Sequence, residues 1–271
     1  MATLPNPLPG LTTDPSGRSL GLQLPPGRLI DATDDGPWHE PLLWHAEKAA
    51  SPGTWQAMGG QAARAGLLPV LVDLGGSQGG PAEWELMPGE MSYPGDHDAD
   101  EVLAEYWEDA AEEELPEGIE PFGPDWPGLA PAASPTATPD TRAAQIADSL
   151  TDGTRAWLKE PHLAMVCARR SADIPAAIGW TGPLNHENDV ARLCAVLRSW
   201  EDRFGIRVVA LGFDTLVVSV AAPPATLAEA ERVAAEHFAF CPDTTAENGP
   251  DTLRSYAGEL VDEPVWSFWW D

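Results

Sequence analysis

The sequence predicts an α+β fold with a C-terminal ferredoxin-like β-α-β-β-α-β sandwich, preceded by a smaller α/β region. Two observations support this prediction. First, the last third of the chain alternates short apolar runs of strand length with stretches of helical apolar spacing. Second, residues 206–211 and 215–221 are valine-rich runs separated by Gly212, Phe213 and Asp214, which is typical of a hairpin.

The remaining elements of the predicted sandwich flank this hairpin. Residues 162–168 predict its first strand, and residues 265–270 (VWSFWW) predict its last strand. Residues 189–204 predict the first helix, which Gly205 ends. One apolar stripe defines that helix: Val190, Leu193, Cys194, Leu197, Trp200 and Phe204.

Two further helices are predicted between the hairpin and the last strand. Thr226 and Glu229 have the spacing of a capping box, which predicts a helix that runs to Phe238. Asp251 is expected to cap a short helix that carries Tyr256.

The sequence pattern of the smaller α/β region predicts a βαβ unit. Residues 41–46 indicate a strand, and residues 67–74 indicate a second strand covered on both faces. Ser51 is expected to cap the helix between them, and Gly66 is expected to end it. An acidic amphipathic helix should follow over residues 99–114, whose apolar side chains have helical spacing.

Proline-rich segments divide the chain into four predicted regions. Residues 1–27 are expected to form an extended arm, because proline disfavours helices and inner strands. Residues 28–128 form the α/β region with the acidic helix. Residues 129–141 have the composition of a linker or long loop, and residues 142–271 form the C-terminal domain.

The charge of the chain limits its partners. The sequence contains 43 acidic and 15 basic residues, which gives a net charge of −28. Such a field repels nucleic acids and anionic membrane surfaces. It attracts basic proteins, so a basic protein partner is the interaction that the composition favours.

The cysteines and the N-terminus predict a cytoplasmic protein. The chain has three cysteines, Cys167, Cys194 and Cys241, with no C-x-x-C pair. This pattern favours neither a disulfide framework nor a zinc site, and no cofactor or metal is expected. The N-terminus lacks the basic start and apolar run of a secretory signal, and no stretch has the apolar length of a membrane span.

Several sequence blocks resemble a bacterial family known only as domain of unknown function 4253. The specific blocks lie within residues 180–271: LRSWEDRFG at 197–205, GFDT at 212–215, AEHFAFCPD at 235–243 and WSFWWD at 266–271. LPPGRLI at 24–30 and PFGPDWPGLAP at 121–131 resemble longer members of the family. The resemblance implies no activity, cofactor or catalytic residue.

One group of residues has the chemistry of a catalytic site. His237 and Cys241 are four residues apart near a helix end, with Asp243 just beyond. A histidine beside a cysteine can produce an activated thiolate. The alternative is structural, with a core cysteine and a histidine favoured by the helix dipole.

A second group has the composition of a binding surface. Arg198, Trp200, Glu201 and Arg203 lie on one predicted helix, and arginine and tryptophan are common in interaction hot spots. The alternative is a salt-bridged helix face on which Arg198 pairs with Asp202.

Two motif-like segments are incomplete. Residues 75–79 match G-x-S-x-G, but the helix that a nucleophile elbow requires is not indicated after them, so a glycine loop is favoured. Residues 96–100 resemble the start of a calcium loop, but Glu101 and Trp107 occupy the positions that need glycine and glutamate.

Two functions follow from these observations. The sequence favours a non-enzymatic interaction module, such as an inhibitor or immunity-type partner of a basic protein. The alternative is a small-ligand enzyme of hydrolase type, with its site near His237, Cys241 and Asp243.

Overall fold

A seven-stranded sheet lies at the centre of the protein. The structure is a computed structural model that describes residues 5–113, 119–243 and 252–271. The strands run in the order β1-β4-β6-β5-β7-β8-β9. Their bounds are Gly27–Ile30 (β1), Leu43–Ala49 (β4), Leu68–Asp73 (β5), Pro161–Val166 (β6), Arg207–Leu211 (β7), Thr215–Ser219 (β8) and Val265–Trp269 (β9). A separate hairpin pairs β2 (Ala32–Thr33) with β3 (Gly36–Pro37).

Helices cover both faces of the sheet. They are α1 (Thr54–Arg64), α2 (Ala99–Glu113), α3 (Pro139–Thr151), α4 (Ile174–Ile178), α5 (Val190–Phe204), α6 (Leu227–Phe240) and α7 (Leu253–Leu260). Buried side chains of α2, α4, α5, α6 and α7 form one core on one face. Those of α1 and α3 form a second core on the opposite face. The predicted α+β class is confirmed, with a sheet that is mostly antiparallel.

The order and pairing of the strands do not match the predicted ferredoxin-like arrangement. The β6-α5-β7 segment would need parallel strands, but β6 is antiparallel to β5, and β5 is parallel to β7. Strand β5 also lies between β6 and β7. Apolar spacing predicted the strands of this region, but it did not predict how they pair. Both neighbours of β6 in the sheet, β4 and β5, come from the first half of the protein.

The predicted βαβ unit is present in a split form. Strands β4 and β5 are both antiparallel to β6, which lies between them, so they are parallel to each other. Helix α1 begins after Gly53, two residues beyond the predicted cap Ser51. Gly66 follows the helix with a φ of 77°, which favours glycine.

The segment predicted as a linker is bonded to the body of the protein. Ala130 is buried, the amide of Ala133 donates to the carbonyl of Arg203 (3.2 Å), and the amide of Thr136 donates to that of Ala221 (2.7 Å). Thr138 then caps α3, a helix that the sequence did not indicate. The regions on either side of this segment therefore share one sheet and one pair of cores.

The N-terminal arm is folded onto the sheet. Short 3₁₀ helices, Leu8–Thr12 and Arg18–Leu20, replace the predicted extended conformation. Leu8, Leu11 and Leu22 are buried in the core with α1 and α3. Apolar side chains between the prolines therefore decide the conformation of the arm, because their burial stabilises the folded turns.

Most helix ends agree with the sequence. Asp189 caps α5, Gly205 ends it with a φ of 62°, and Thr226 forms the capping box with Glu229. Thr252 caps α7; the predicted cap, Asp251, lies outside the described residues. No helix in the described part of the chain has the length and apolar character needed to span a membrane.

The acidic helix is amphipathic, as predicted, and side chains of the aromatic strand alternate between buried and partly exposed positions. In α2, Val102, Leu103, Tyr106 and Trp107 are buried, whereas the carboxylates described on the helix are exposed. In β9, Trp266 and Phe268 are buried together with the following Trp270, while Ser267 and Trp269 are partly exposed. This alternation follows from the two-residue period of a strand.

We predict that β9 is required for folding. Deletion of residues 265–271 should abolish cooperative unfolding, because it removes three buried aromatic side chains from the core. Single Trp266→Ala or Trp270→Ala changes should each cost about 3–5 kcal/mol of unfolding free energy, and Trp269→Ala should cost less. Urea unfolding followed by circular dichroism measures these values, and a deletion variant that unfolds like the parent would contradict the prediction.

Candidate functional site

The sequence-predicted site residues of α5 and α6 meet in an aromatic cluster. The Trp200 ring stacks on Phe268, with centroids 5.4 Å apart and an interplanar angle of 18°. Trp266, Phe240 and His237 lie around it at centroid distances of 5.5, 4.7 and 5.1 Å. Trp200 is fully buried, so it is part of the core and not part of an exposed binding surface.

Glu236 is a buried carboxylate at the edge of this cluster, and its side chain is 0% exposed. Arg203 donates to both of its oxygens, at 2.7 Å to Oε1 and 2.6 Å to Oε2. The Trp200 indole donates to Oε2 (2.7 Å), and the Ala130 amide donates to Oε1 (2.6 Å). The carboxylate therefore joins α5, α6 and the segment before α3. Sequence reasoning selected Arg203 but missed Glu236.

His237 is enclosed by the same aromatic cluster. Its side chain is 0% exposed, and Nδ1 lies 2.9 Å from the hydroxyl of Tyr256. Nε2 has no hydrogen-bond partner among the described residues. Burial lowers the pKa of His237 from 6.5 to about 3, because the charged imidazolium is disfavoured away from water. The ring is therefore neutral at physiological pH.

Cys241 and Asp243 have their own hydrogen bonds. The Cys241 thiol donates to the carbonyl of Trp269 over 3.1 Å, and the cysteine is fully buried. Asp243 accepts a hydrogen bond from the amide of Asp271 (3.1 Å). The three residues of the proposed catalytic group thus divide between the core and the surface: Asp243 is partly exposed, whereas His237 and Cys241 are both inaccessible to solvent.

The predicted pairing along α5 is wrong. Arg198 donates to Asp173, from Nε to Oδ1 (2.5 Å) and from Nη2 to Oδ2 (3.0 Å). Asp202 instead accepts from Arg170 (2.5 Å). The close pair with Asp173 raises the pKa of Arg198. Arg198 and Asp202 therefore do not pair with each other along the helix. Each pairs with a residue of the segment before α4.

Glu201 holds the same segment to α5. Its Oε2 accepts from the Ala172 amide (3.2 Å) and lies 3.5 Å from Nε of Arg170. Its Oε1 lies 3.3 Å from Nη1 of Arg207. The surface predicted on this helix is therefore a network of ion pairs with defined internal partners.

Neither motif-like segment forms the site that it resembles. Residues 75–79 lie in turns, and no helix follows directly after them. Asp98, in the calcium-like segment, caps α2 by accepting from the amides of Asp100 (2.9 Å) and Glu101 (3.3 Å). Within residues 5–113, 119–243 and 252–271, no group of three or more His, Cys, Asp or Glu side chains is positioned to hold a metal ion.

A polar surface pocket that the sequence did not predict lies between α2 and the segment before α5. We refer to it as the acidic pocket. It has a volume of about 740 Å³ and is lined by Glu105, Tyr106, Asp109, Ala110, Leu184, Asn185, His186, Glu187, Asn188, Arg192 and Pro242. The adjacent polar residues at 185–188 are the sequence signal that could have indicated it.

The acidic pocket has a rigid polar wall. Oε2 of Glu187 accepts from the Tyr106 hydroxyl (2.5 Å) and from Nη1 of Arg192 (2.8 Å), and Arg192 also donates to Glu105 (2.6 Å). Burial and the neighbouring carboxylate of Glu187 raise the pKa of Tyr106. These bonds fix one carboxylate and one phenol hydroxyl on the wall of the pocket.

His186 lies against this wall with an unused nitrogen. Its ring centroid is 4.8 Å from that of Tyr106. Its Nε2 is buried and has no hydrogen-bond partner in the part of the chain that the structure describes. Burial lowers the pKa of His186, so the neutral ring can accept a hydrogen bond from a donor.

These observations define an α+β protein with a buried Arg203–Glu236 pair, an aromatic core and an acidic surface pocket. Residues 162–271 match the family described as Domain of unknown function (DUF4253). The predicted resemblance to that family is confirmed for this part of the chain. No curated protein and no solved structure gave a match to the sequence.

We predict that the Arg203–Glu236 pair is a major determinant of stability. Arg203→Met should cost about 3–5 kcal/mol of unfolding free energy, because it leaves a buried carboxylate without its cation. The exposed pair of Arg28 and Glu47, 3.8 Å apart, supplies a control, and Arg28→Met should cost less than about 1 kcal/mol.

The double variant Arg203→Met/Glu236→Gln should recover part of the loss measured for Arg203→Met in urea unfolding experiments, since no buried charge is then left unpaired. Equal losses of unfolding free energy for Arg203→Met and Arg28→Met would show that the buried pair contributes no more to stability than an exposed pair.

We predict that His237 makes the protein less stable in acid. The unfolded imidazole binds a proton below a pH of about 6.5, whereas the folded one does so only near pH 3. Unfolding free energy should therefore fall as the pH is lowered from about 6.5, by up to about 1.4 kcal/mol per pH unit.

His237→Phe removes this proton uptake. Urea unfolding from pH 7.5 down to pH 5 should therefore show a steeper loss of unfolding free energy in the parent than in the variant. The two slopes should differ by up to about 1.4 kcal/mol per pH unit. Other titrating groups are present in both proteins and cancel in the comparison. Parallel curves would mean that His237 titrates normally in the folded state.

Proposed function

We propose that the protein is a non-enzymatic interaction module, of inhibitor or immunity type, that binds a basic protein. The binding surface is the acidic face of α2, which we define by the exposed carboxylates Glu101, Glu105, Glu108 and Asp109. The acidic pocket lies beside this face, and Glu105 and Asp109 belong to both. In a chain of net charge −28, this surface would attract a cationic partner and accelerate its approach.

The single observation that carries the proposal is the unpartnered Nε2 of His186 within an acidic pocket. A buried ring nitrogen without a hydrogen bond is costly. In the tautomer protonated at Nδ1, Nε2 is an acceptor, and a donor group from a ligand would stabilise it. A lysine or arginine side chain supplies both the donor and the charge that Asp109 and Glu187 favour. The pocket volume of about 740 Å³ accommodates such a side chain.

The burial of the thiol and imidazole supports a structural role for His237 and Cys241. A hydrolase-type site needs a nucleophile that a substrate can reach, and both side chains are 0% exposed. The enzyme alternative therefore has less support than the interaction module. We propose a cytoplasmic location because the number and spacing of the three cysteines do not favour a disulfide framework.

We predict that binding depends on charge at the acidic face. The immobilised full chain should retain a basic protein from a bacterial lysate at about 50 mM salt and release it at about 500 mM, because added salt screens the attraction. The variant Glu101→Lys/Glu108→Lys/Asp109→Lys should lose this protein at both salt concentrations. Mass spectrometry identifies the proteins that the parent and the variant retain at each salt concentration.

A matched control changes the net charge equally at another surface. Asp34→Lys/Asp35→Lys/Glu90→Lys reverses three exposed carboxylates next to the β2–β3 hairpin. This variant should retain the same basic protein as the parent. Equal loss in both triple variants would show attraction by net charge alone and would overturn the proposed surface.

A further inference from the structure

A second cavity lies between α1 and α3 at one end of the sheet, where Glu201 of α5 also lines it. Its volume is about 440 Å³, within the range of small-molecule sites. It opens where β5 and β7 begin and β6 has just ended. Its lining residues are Trp55, Gln56, Gly59, Gly60, Ala63, Leu68, Pro69, Asp140, Thr141, Ala143, Ala144, Arg169, Arg170, Ser171, Glu201 and Arg207. We refer to it as the arginine cavity.

Cationic side chains meet at this cavity although the chain is strongly acidic. Arg169, Arg170 and Arg207 all line it, whereas the whole sequence has only 15 basic residues against 43 acidic ones. Arginine presents several N–H donors in a planar fork that matches the geometry of carboxylate and phosphate groups. Asp140 and Glu201 also line the cavity, so its five charged side chains carry a formal net charge of +1 in a chain whose net charge is −28. The cavity therefore has the residue type that recognises a small anion and a slight excess of positive charge.

Arg207 has donor capacity that internal bonds leave unused. It donates from Nε to Asp140 (2.9 Å) and from Nη1 to Glu201 (3.3 Å) and to the carbonyl of Ile206 (2.9 Å). Its Nη2 has no acceptor among the described residues. The Asp140 side chain is 87% exposed, so an incoming anion can replace it at little cost.

A buried hydroxyl and a helix start add further donors. Ser171 is 8% exposed, and its Oγ accepts from the amide of Val208 (2.8 Å), which leaves the hydroxyl proton available. Asp140 and Thr141 lie in the first turn of α3, where the positive end of the helix dipole favours negative charge. The Ser171 hydroxyl and the positive end of the α3 dipole would stabilise an anion in the cavity, whereas the Asp140 carboxylate opposes an anion until it is displaced.

Two adjacent glycines inside a helix, Gly59 and Gly60, form the middle of the α1 wall of the cavity, which we call the glycine wall. Glycine destabilises a helix interior relative to alanine, so the presence of two adjacent glycines in α1 needs a structural or functional explanation. Packing supplies none: a Cβ at Gly60 would meet nothing within 4 Å, and one at Gly59 would meet only Pro69 at 3.7 Å, an ordinary contact. Close approach of a bound molecule to the helix backbone would explain both glycines.

We propose that the arginine cavity binds a small organic anion. Its carboxylate or phosphate group contacts Arg170, Arg207 and Ser171, and its apolar part packs on Trp55 and on the glycine wall. The ligand is a free small molecule and not a nucleic acid, because a cavity of about 440 Å³ holds a small molecule and the chain repels polyanions.

Isothermal titration calorimetry of the full chain tests the proposal with four probes. Phenyl phosphate and benzoate carry both an anionic and an apolar part, and their relative affinities distinguish phosphate from carboxylate recognition. Inorganic phosphate and benzyl alcohol carry one part each and should bind at least tenfold more weakly. Absence of binding by both phenyl phosphate and benzoate at millimolar concentration would overturn the proposal.

Variants separate a binding role from a structural one. Gly59→Ala/Gly60→Ala should raise the melting temperature, because alanine favours the helix, yet weaken binding at least tenfold, because the methyl groups occupy the cavity. Gly258→Ala in α7, where a Cβ also meets nothing within 4 Å, should raise the melting temperature and leave binding unchanged.

Arginine variants test the anion contact itself. Arg207→Met should weaken binding of the anionic probes at least tenfold, whereas Arg28→Met, at an exposed pair on β1, should not change it. Unchanged binding in both Arg207→Met and the double alanine variant would place any bound anion elsewhere and overturn the assignment of this cavity.

Discussion

The packing of the helices on one face of the sheet depends on the buried carboxylate of Glu236. A charge without exposure to water is stable only if its partners surround it, and here Arg203, the Trp200 indole and the Ala130 amide do so. These partners come from α5 and from the segment before α3, while Glu236 lies on α6. One side chain therefore fixes the relative positions of three parts of the chain.

The aromatic cluster extends from this carboxylate toward β9. Trp200 contacts Glu236 through its indole nitrogen and Phe268 through its ring face, so the polar and apolar parts of the core share a residue. His237 is neutral within this cluster because burial lowers its pKa. His237 and Cys241, two of the three residues that resemble a catalytic group in the sequence, thus belong to the interior of the protein.

Charge is divided between two places on the protein. The acidic pocket, with Asp109 and Glu187, lies beside α2 on the face that also carries the aromatic core. The arginine cavity, with Arg170 and Arg207, lies between α1 and α3 at one end of the sheet. A basic macromolecule and a small anion would therefore bind at separate places.

The sequence by itself determined the elements whose signals are local. The stripe on α5, the capping box at Thr226 and the strand at the end of the chain depend on residues a few positions apart, and all agree with the structure. Strand order, the Arg198–Asp173 pair and the role of Glu236 depend on contacts between distant segments. Only the tertiary structure could decide these, because periodicity records which face of an element is buried but not which segment covers it.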